Sequence, residues 1–191
     1  CALPISRGSC GACGSPCTTK VAESLETAPI VSVGVRTPVA PRSAATVNTP
    51  SAIAALPGRT AELVDLLESW ANINSGSGHL AGLDRMRAAL RAAFVPAFPG
   101  AAVDEPECPG TARALRLIMR PAAPVRILFS GHFDTVFEAN DSFQRCTRPD
   151  ASTLRGPGVI DMKGGLITIL ACLQAFEQTP HAGRIGWEVL L

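Results

Sequence analysis

The sequence has no long run of lysine or arginine, and its 17 basic and 16 acidic residues leave a formal net charge of +1. With no electrostatic footprint of one sign, neither a nucleic acid nor an anionic membrane surface is an expected partner. The longest apolar runs are broken by charges well before the ~18 residues that a membrane span needs. The N-terminus also lacks the ordered basic, apolar and small-residue blocks of a signal peptide, which favours a cytoplasmic location. There is no initiating methionine, since residue 1 is Cys1. Seven cysteines cannot all pair within one chain, and Cys1, Cys10, Cys13 and Cys17 crowd into the first 17 residues. The body of the chain is therefore read as reduced, with Cys172 as a buried free thiol inside an apolar helix pattern.

What is present is ample core material: 47% of the 191 residues are hydrophobic. It is unevenly spread. Residues 1–57 hold seven of the sixteen prolines and six charged residues, with no sustained period, and read as an irregular, disordered leader. Cys10, Cys13 and Cys17 have a spacing that thiolates use for zinc or an iron–sulfur cluster, but no second pair with partner spacing follows.

Residues 58–191 read as one domain. From Thr60, a plausible N-cap, Leu63, Leu66, Leu67 and Trp70 share one helical face. The turn-rich "NSGSGH", Asn74 to His79, ends that helix, and Leu83, Met86, Leu90 and Phe94 align on a second one, which Pro96 and Pro99 stop. "ARALRLIMR", Ala112 to Arg120, alternates as a strand does. "VRILFS", Val125 to Ser130, is nearly all apolar, as expected of a strand covered on both faces. A loop to about Leu154 and "GPGVIDMKGG" lead into a helix with Leu166, Ile169, Leu170, Leu173 and Phe176 on one face. "GRIGWEVLL", Gly183 to Leu191, reads as another buried strand. This order predicts an α/β three-layer sandwich with a largely parallel sheet. Leu191 closes an apolar strand with no turn after it, so the domain is read as incomplete at its C-terminus, the first portion of a larger protein.

In open α/β sheets ligands gather beyond the carboxyl ends of the strands, and "SGHFDTVF" stands there. Residues two apart point the same way in extended backbone, so His132 and Asp134 share a side while Phe133 turns into the core. The imidazole can then offer one nitrogen to a metal while a carboxylate orients the ring. Asp161, in "LRGPGVIDMKGGL", sits at a helix entry made roomy by Gly164 and Gly165, and a carboxylate there has two oxygens with which to bridge two cations. Taken singly, a strand-end histidine is more often a hydrogen-bonded structural group than a ligand, and an aspartate at a helix start is usually a cap. His79 and His181 lie in turn contexts and read as solvated.

The two motifs, their spacing, and the upstream "ESWANINSGSGHLAGLDRMRAAL" resemble the di-zinc amidohydrolases that include glutamate carboxypeptidase, acetylornithine deacetylase, succinyl-diaminopimelate desuccinylase and aminoacylase, nearest the glutamate carboxypeptidase branch. The resemblance spans about Thr60 to Leu191. It implies a zinc-peptidase-like catalytic domain and a hydrolase that cleaves an amide bond of an N-acyl amino acid or small peptide with a metal-activated water. It further implies His132 as a terminal zinc ligand, Asp161 as the carboxylate bridging two zincs, Asp134 as the catalytic-site partner of His132, and a cis Asp161–Met162 peptide. Co2+ would be a substitute for Zn2+, and the full-length protein would form a homodimer. The family's glutamate base follows the strand that "IGWEVLL" forms, so Glu188 within it is not that base, and residues 1–191 alone are expected to be inactive. The alternative is a non-catalytic binding module that keeps the fold around an incomplete metal site.

Overall fold

The computed structural model describes residues 51–191. The cysteine cluster and most of the leader lie outside the described residues. Its last residues are not irregular: Ser51–Ala54 form a short helix, α1, and Leu56–Arg59 a 3-10 turn that runs straight into α2, Thr60–Ala71. Because the turn continues into the helix, Thr60 does not cap it. The Thr60 hydroxyl donates to the carbonyl of Pro57 at 2.8 Å.

Helix α3, Leu80–Ala97, carries Pro96 in its last turn and ends at Phe98. The strands are β1 (Ala102–Asp104), β2 (Arg116–Met119), β3 (Val125–Ser130), β4 (Thr147–Asp150), β5 (Thr153–Arg155) and β6 (Ile185–Leu190), with α4 (Gly164–Glu177) between β5 and β6. β4 and β5 form an antiparallel hairpin of their own, inside the stretch read as a loop.

The main sheet has the order β1-β2-β6-β3 and is mixed rather than largely parallel. Only β3 and β6, joined through α4, run parallel; β1–β2 and β2–β6 are antiparallel. The reason lies in the short proline-bounded link after Met119, which reverses the chain and leaves no room for a crossover helix. β6 then enters between β2 and β3. It can do so because residue 186 has no side chain: a Cβ on Gly186 would stand 2.3 Å from the carbonyl oxygen of Arg120.

The buried strand side chains, Leu117, Met119, Trp187 and Val189, all fall on one face, against Trp70, Leu83, Met86, Leu90, Phe94 and the buried row of α4. Phe98 meets Trp187 edge-on at 4.9 Å between ring centroids. The other face carries Glu188, held by Arg116 at 2.7 Å and Arg126 at 3.1 Å. β3 is not covered on both faces: it is the edge strand, and Val125, Ile127 and Leu128 are 54%, 43% and 60% exposed. Cys172 is exposed too, because it lies one turn beyond exposed Thr168, off the apolar row of α4. The stretch Val159–Glu177 is long and apolar enough to cross a membrane by length and composition, contrary to the reading of broken runs. Its Leu166, Ile167, Leu170 and Leu173 are instead part of the core cluster.

Candidate functional site

The site lies where β3 ends. After Ser130 the chain passes Gly131, whose missing side chain leaves space for Leu166 and Met162; a Cβ would lie 2.8 Å from Leu166 Cδ2. The alternation then holds through the next residues: Phe133 is 7% exposed and joins the core cluster, while His132 and Asp134 stay accessible. His132 Nδ1 is 3.0 Å from Asp134 Oδ1.

The second strand-end segment arrives through Gly156, Pro157 and Gly158. Gly158 has φ +74°, in the left-handed region, where a Cβ would also meet Thr135 Cγ2 at 2.9 Å. In the following turn, Val159–Lys163, Asp161 (φ −121°, ψ 99°) and Met162 (φ −129°, ψ 30°) leave helical geometry, and the Asp161–Met162 peptide is cis, as the resemblance implies. This turn aims Asp161 at the histidine: Asp161 Oδ1 is 3.0 Å from His132 Nε2. The structure thus brings His132, Asp134 and Asp161 together. It leaves out His181, which is exposed, and His79, which is half-buried with Nε2 3.3 Å from Arg85.

Burial acts to lower the pKa of His132, but hydrogen bonds and charge from Asp161 and Asp134 outweigh it and raise the pKa above the usual imidazole value. The donors fit zinc in kind. A separation of 3.0 Å is close to the about 3.3 Å between two donors on one tetrahedral zinc, and a carboxylate on the far ring nitrogen is the usual orienting partner of a ligating histidine. Thr135 Oγ1, buried and without a hydrogen-bond partner among the described residues, borders the same cavity. In number the donors fall short, since no group of three that could hold a metal occurs among the described residues. The cavity is about 450 Å³, with Val136, Phe137, Phe143 and Ile160 as apolar wall and the guanidinium of Arg155 5.3 Å from the Phe143 ring centroid.

Two contributors went unread in the sequence. The ammonium of Lys163 is fully buried and donates to the carbonyls of Trp70 at 3.0 Å and Ile73 at 2.9 Å; burial pushes its pKa down to about 8. Ser77 donates from its hydroxyl to Asp134 Oδ2 at 2.6 Å. A lysine inside an apolar helix start was the available signal for the first. For the second there was none, because its partner lies 57 residues away.

Both motif segments fall inside one family match. Over residues 128–187 the chain matches the model of the peptidase family M20/M25/M40. No curated protein matches it. Among solved structures, the chain is similar to human carnosine dipeptidase 1, with 20% identity and a TM-score of 0.55 over 73% of this chain and 33% of that one. It is also similar to the M20 family metallo-carboxypeptidase Sso-CP2 from Sulfolobus solfataricus, with 18% identity and a TM-score of 0.54 over 68% and 30%. A third is the dipeptidase Dug1p from Saccharomyces cerevisiae, with 13% identity and a TM-score of 0.52 over 73% and 33%. At such identities the likeness bears on the fold. The chain spans about a third of the length of these structures.

Proposed function

We propose that this chain contributes His132 and Asp161 as ligands to the site of a zinc-dependent peptide hydrolase, with Asp134 orienting the imidazole. One observation carries the reading: an imidazole nitrogen and a carboxylate oxygen from motifs 29 residues apart face each other at 3.0 Å on the rim of a cavity, inside the family match. Bound between them, zinc would supply Lewis-acid chemistry to a water and an amide carbonyl.

The protein's own part is positional. Asp134 holds Nδ1 of His132, so Nε2 is the nitrogen left for a cation. Asp161, 84% exposed at its side chain, keeps a second carboxylate oxygen open for another. The apolar wall and Arg155 suit a small peptide or N-acyl amino acid, the substrate class of a carboxypeptidase or dipeptidase. Among the described residues, the acids lining the cavity are Asp134 and Asp161, and both are engaged with His132 rather than free to act as a base.

Isothermal titration of the chain with Zn2+, and with Co2+ as its substitute, tests this. Weak uptake is expected, reduced about tenfold or more in His132→Gln and in Asp161→Asn. Uptake that is unchanged in both variants overturns the metal reading. Dipeptide hydrolysis by residues 1–191 is expected to be nil with either metal; turnover abolished by Asp161→Asn would overturn that expectation and assign a complete site to this chain.

A further inference from the structure

The segment Ile73–Gly78, which follows α2, touches both halves of the site without belonging to either. Toward the β3 side it pairs with the histidine loop as a strand would. Thr135 N donates to Ser75 O at 2.8 Å, Ser77 N donates to Thr135 O at 3.0 Å, and the buried Ser75 hydroxyl donates to Phe133 O at 2.8 Å. Toward the aspartate turn, Ile73 O accepts from Lys163, two residues beyond Asp161. Side-chain volume is excluded within it, since a Cβ on Gly76 would stand 2.7 Å from Phe137 O. The segment is therefore fixed at three points, and Ser77 projects from it onto Asp134.

We propose that Ser77 is a positioning residue for the metal pair: its hydroxyl clamps Asp134 and, through Asp134, holds the His132 ring with Nδ1 on Asp134 and Nε2 toward Asp161. The inference rests on the reading of His132 and Asp161 as ligands. A carboxylate bonded on one oxygen can still rotate about its Cβ–Cγ bond; Asp134 is bonded on both. Oδ2 accepts from Ser77 at 2.6 Å and Oδ1 faces His132 Nδ1 at 3.0 Å. An ionised carboxylate can only accept, and Asp161 Oδ1 faces Nε2 as Asp134 Oδ1 faces Nδ1, so the two compete for the proton of a neutral ring; once a cation takes Nε2, that proton belongs on Nδ1 with Asp134. Without the Ser77 bond, Asp134 is free to turn away from the ring, and an unheld imidazole reverts to a mixture of tautomers.

The test uses the whole chain and two readouts. With three histidines in the sequence, the ring nitrogens of His132 can be assigned in a long-range 1H–15N spectrum by comparison with His132→Gln. Recorded without metal at a pH where the ring is neutral, and in Asp161→Ala so that Asp134 is the carboxylate left at the ring, the spectrum should show the Nδ1–H form. Adding Ser77→Ala to Asp161→Ala should move the signals toward the Nε2–H form, and with Asp161 intact Ser77→Ala should weaken Co2+ binding about threefold to tenfold, short of the roughly 10- to 100-fold that losing a direct orienting partner costs. Ser77→Thr, which restores the hydroxyl, should recover both, while the thermal midpoint shows that each variant is folded. Tautomer signals that Ser77→Ala leaves unchanged in Asp161→Ala overturn the proposal, as does a shift that Ser77→Thr fails to reverse. If His132→Gln leaves Co2+ binding unaltered, the ligand reading fails instead, and the spectrum still reports on Ser77 separately.

Discussion

β3 and β6 are neighbouring, parallel six-residue strands of similar apolar make-up, yet they lead different lives in the fold. β6 sits between two partners with Trp187 and Val189 fully buried. β3 has one partner, and three of its apolar side chains are more than two-fifths exposed. Composition states that a segment can be covered; the number of neighbours decides whether it is. β6 is held by long-range polar bonds as well, since Trp187 Nε1 donates to Glu177 Oε1 at 2.6 Å and Arg120 grips the same carboxylate from the other side.

Three substitutions sharpen the contrast. Trp187→Ala removes the central side chain of β6 and the edge-on contact with Phe98, and should cost about 3–5 kcal/mol in urea unfolding. A loss under 1 kcal/mol would mean that the centre of the sheet is no better packed than its edge. Glu177→Gln acts on the polar grip and should cost about 1 kcal/mol near neutral pH. Burial alone would push the Glu177 carboxyl up, but the hydrogen bonds from Arg120 and Trp187 and the Arg120 charge hold it below the usual carboxylate range. Its stabilisation is thus complete above the unfolded carboxyl pKa and is lost as pH falls through the lower folded value. The gap between wild type and variant should close in acid, and a gap that is constant down to about pH 2 would remove the charged form from the account. Smallest of all, Leu128→Lys on the edge strand, opposite Glu188, should change stability by no more than about 0.5 kcal/mol and raise solubility. A cost of several kcal/mol would show that β3 is covered after all.

The same contrast explains what was legible in the sequence. Both strands could be read from apolar runs, the three long helices from their faces, and Phe133 from simple alternation, because each signal lies within a few residues. His132 and Asp134 share a side for the same local reason, and Asp161 stands out because the glycines around it clear space. Sheet order is not local. That β6 would part β2 from β3 depends on Gly186 passing the carbonyl of Arg120, 66 positions earlier, and the edge position of β3 follows from it. Cys172 was misjudged by averaging over an apolar helix: it lies off the buried row of Leu166, Leu170 and Leu173. The partners of Ser77 and Lys163 were hidden for a related reason: their bonds close loops of 57 and 93 residues, with no pattern in between.

Lys163 carries a consequence for how the pocket comes into being. Its ammonium finds its acceptors at the end of the first long helix, so the aspartate turn leans on that helix being in place. A peptide containing both metal motifs but starting downstream of Trp70 would own the right letters and lack the scaffold that spells them in space.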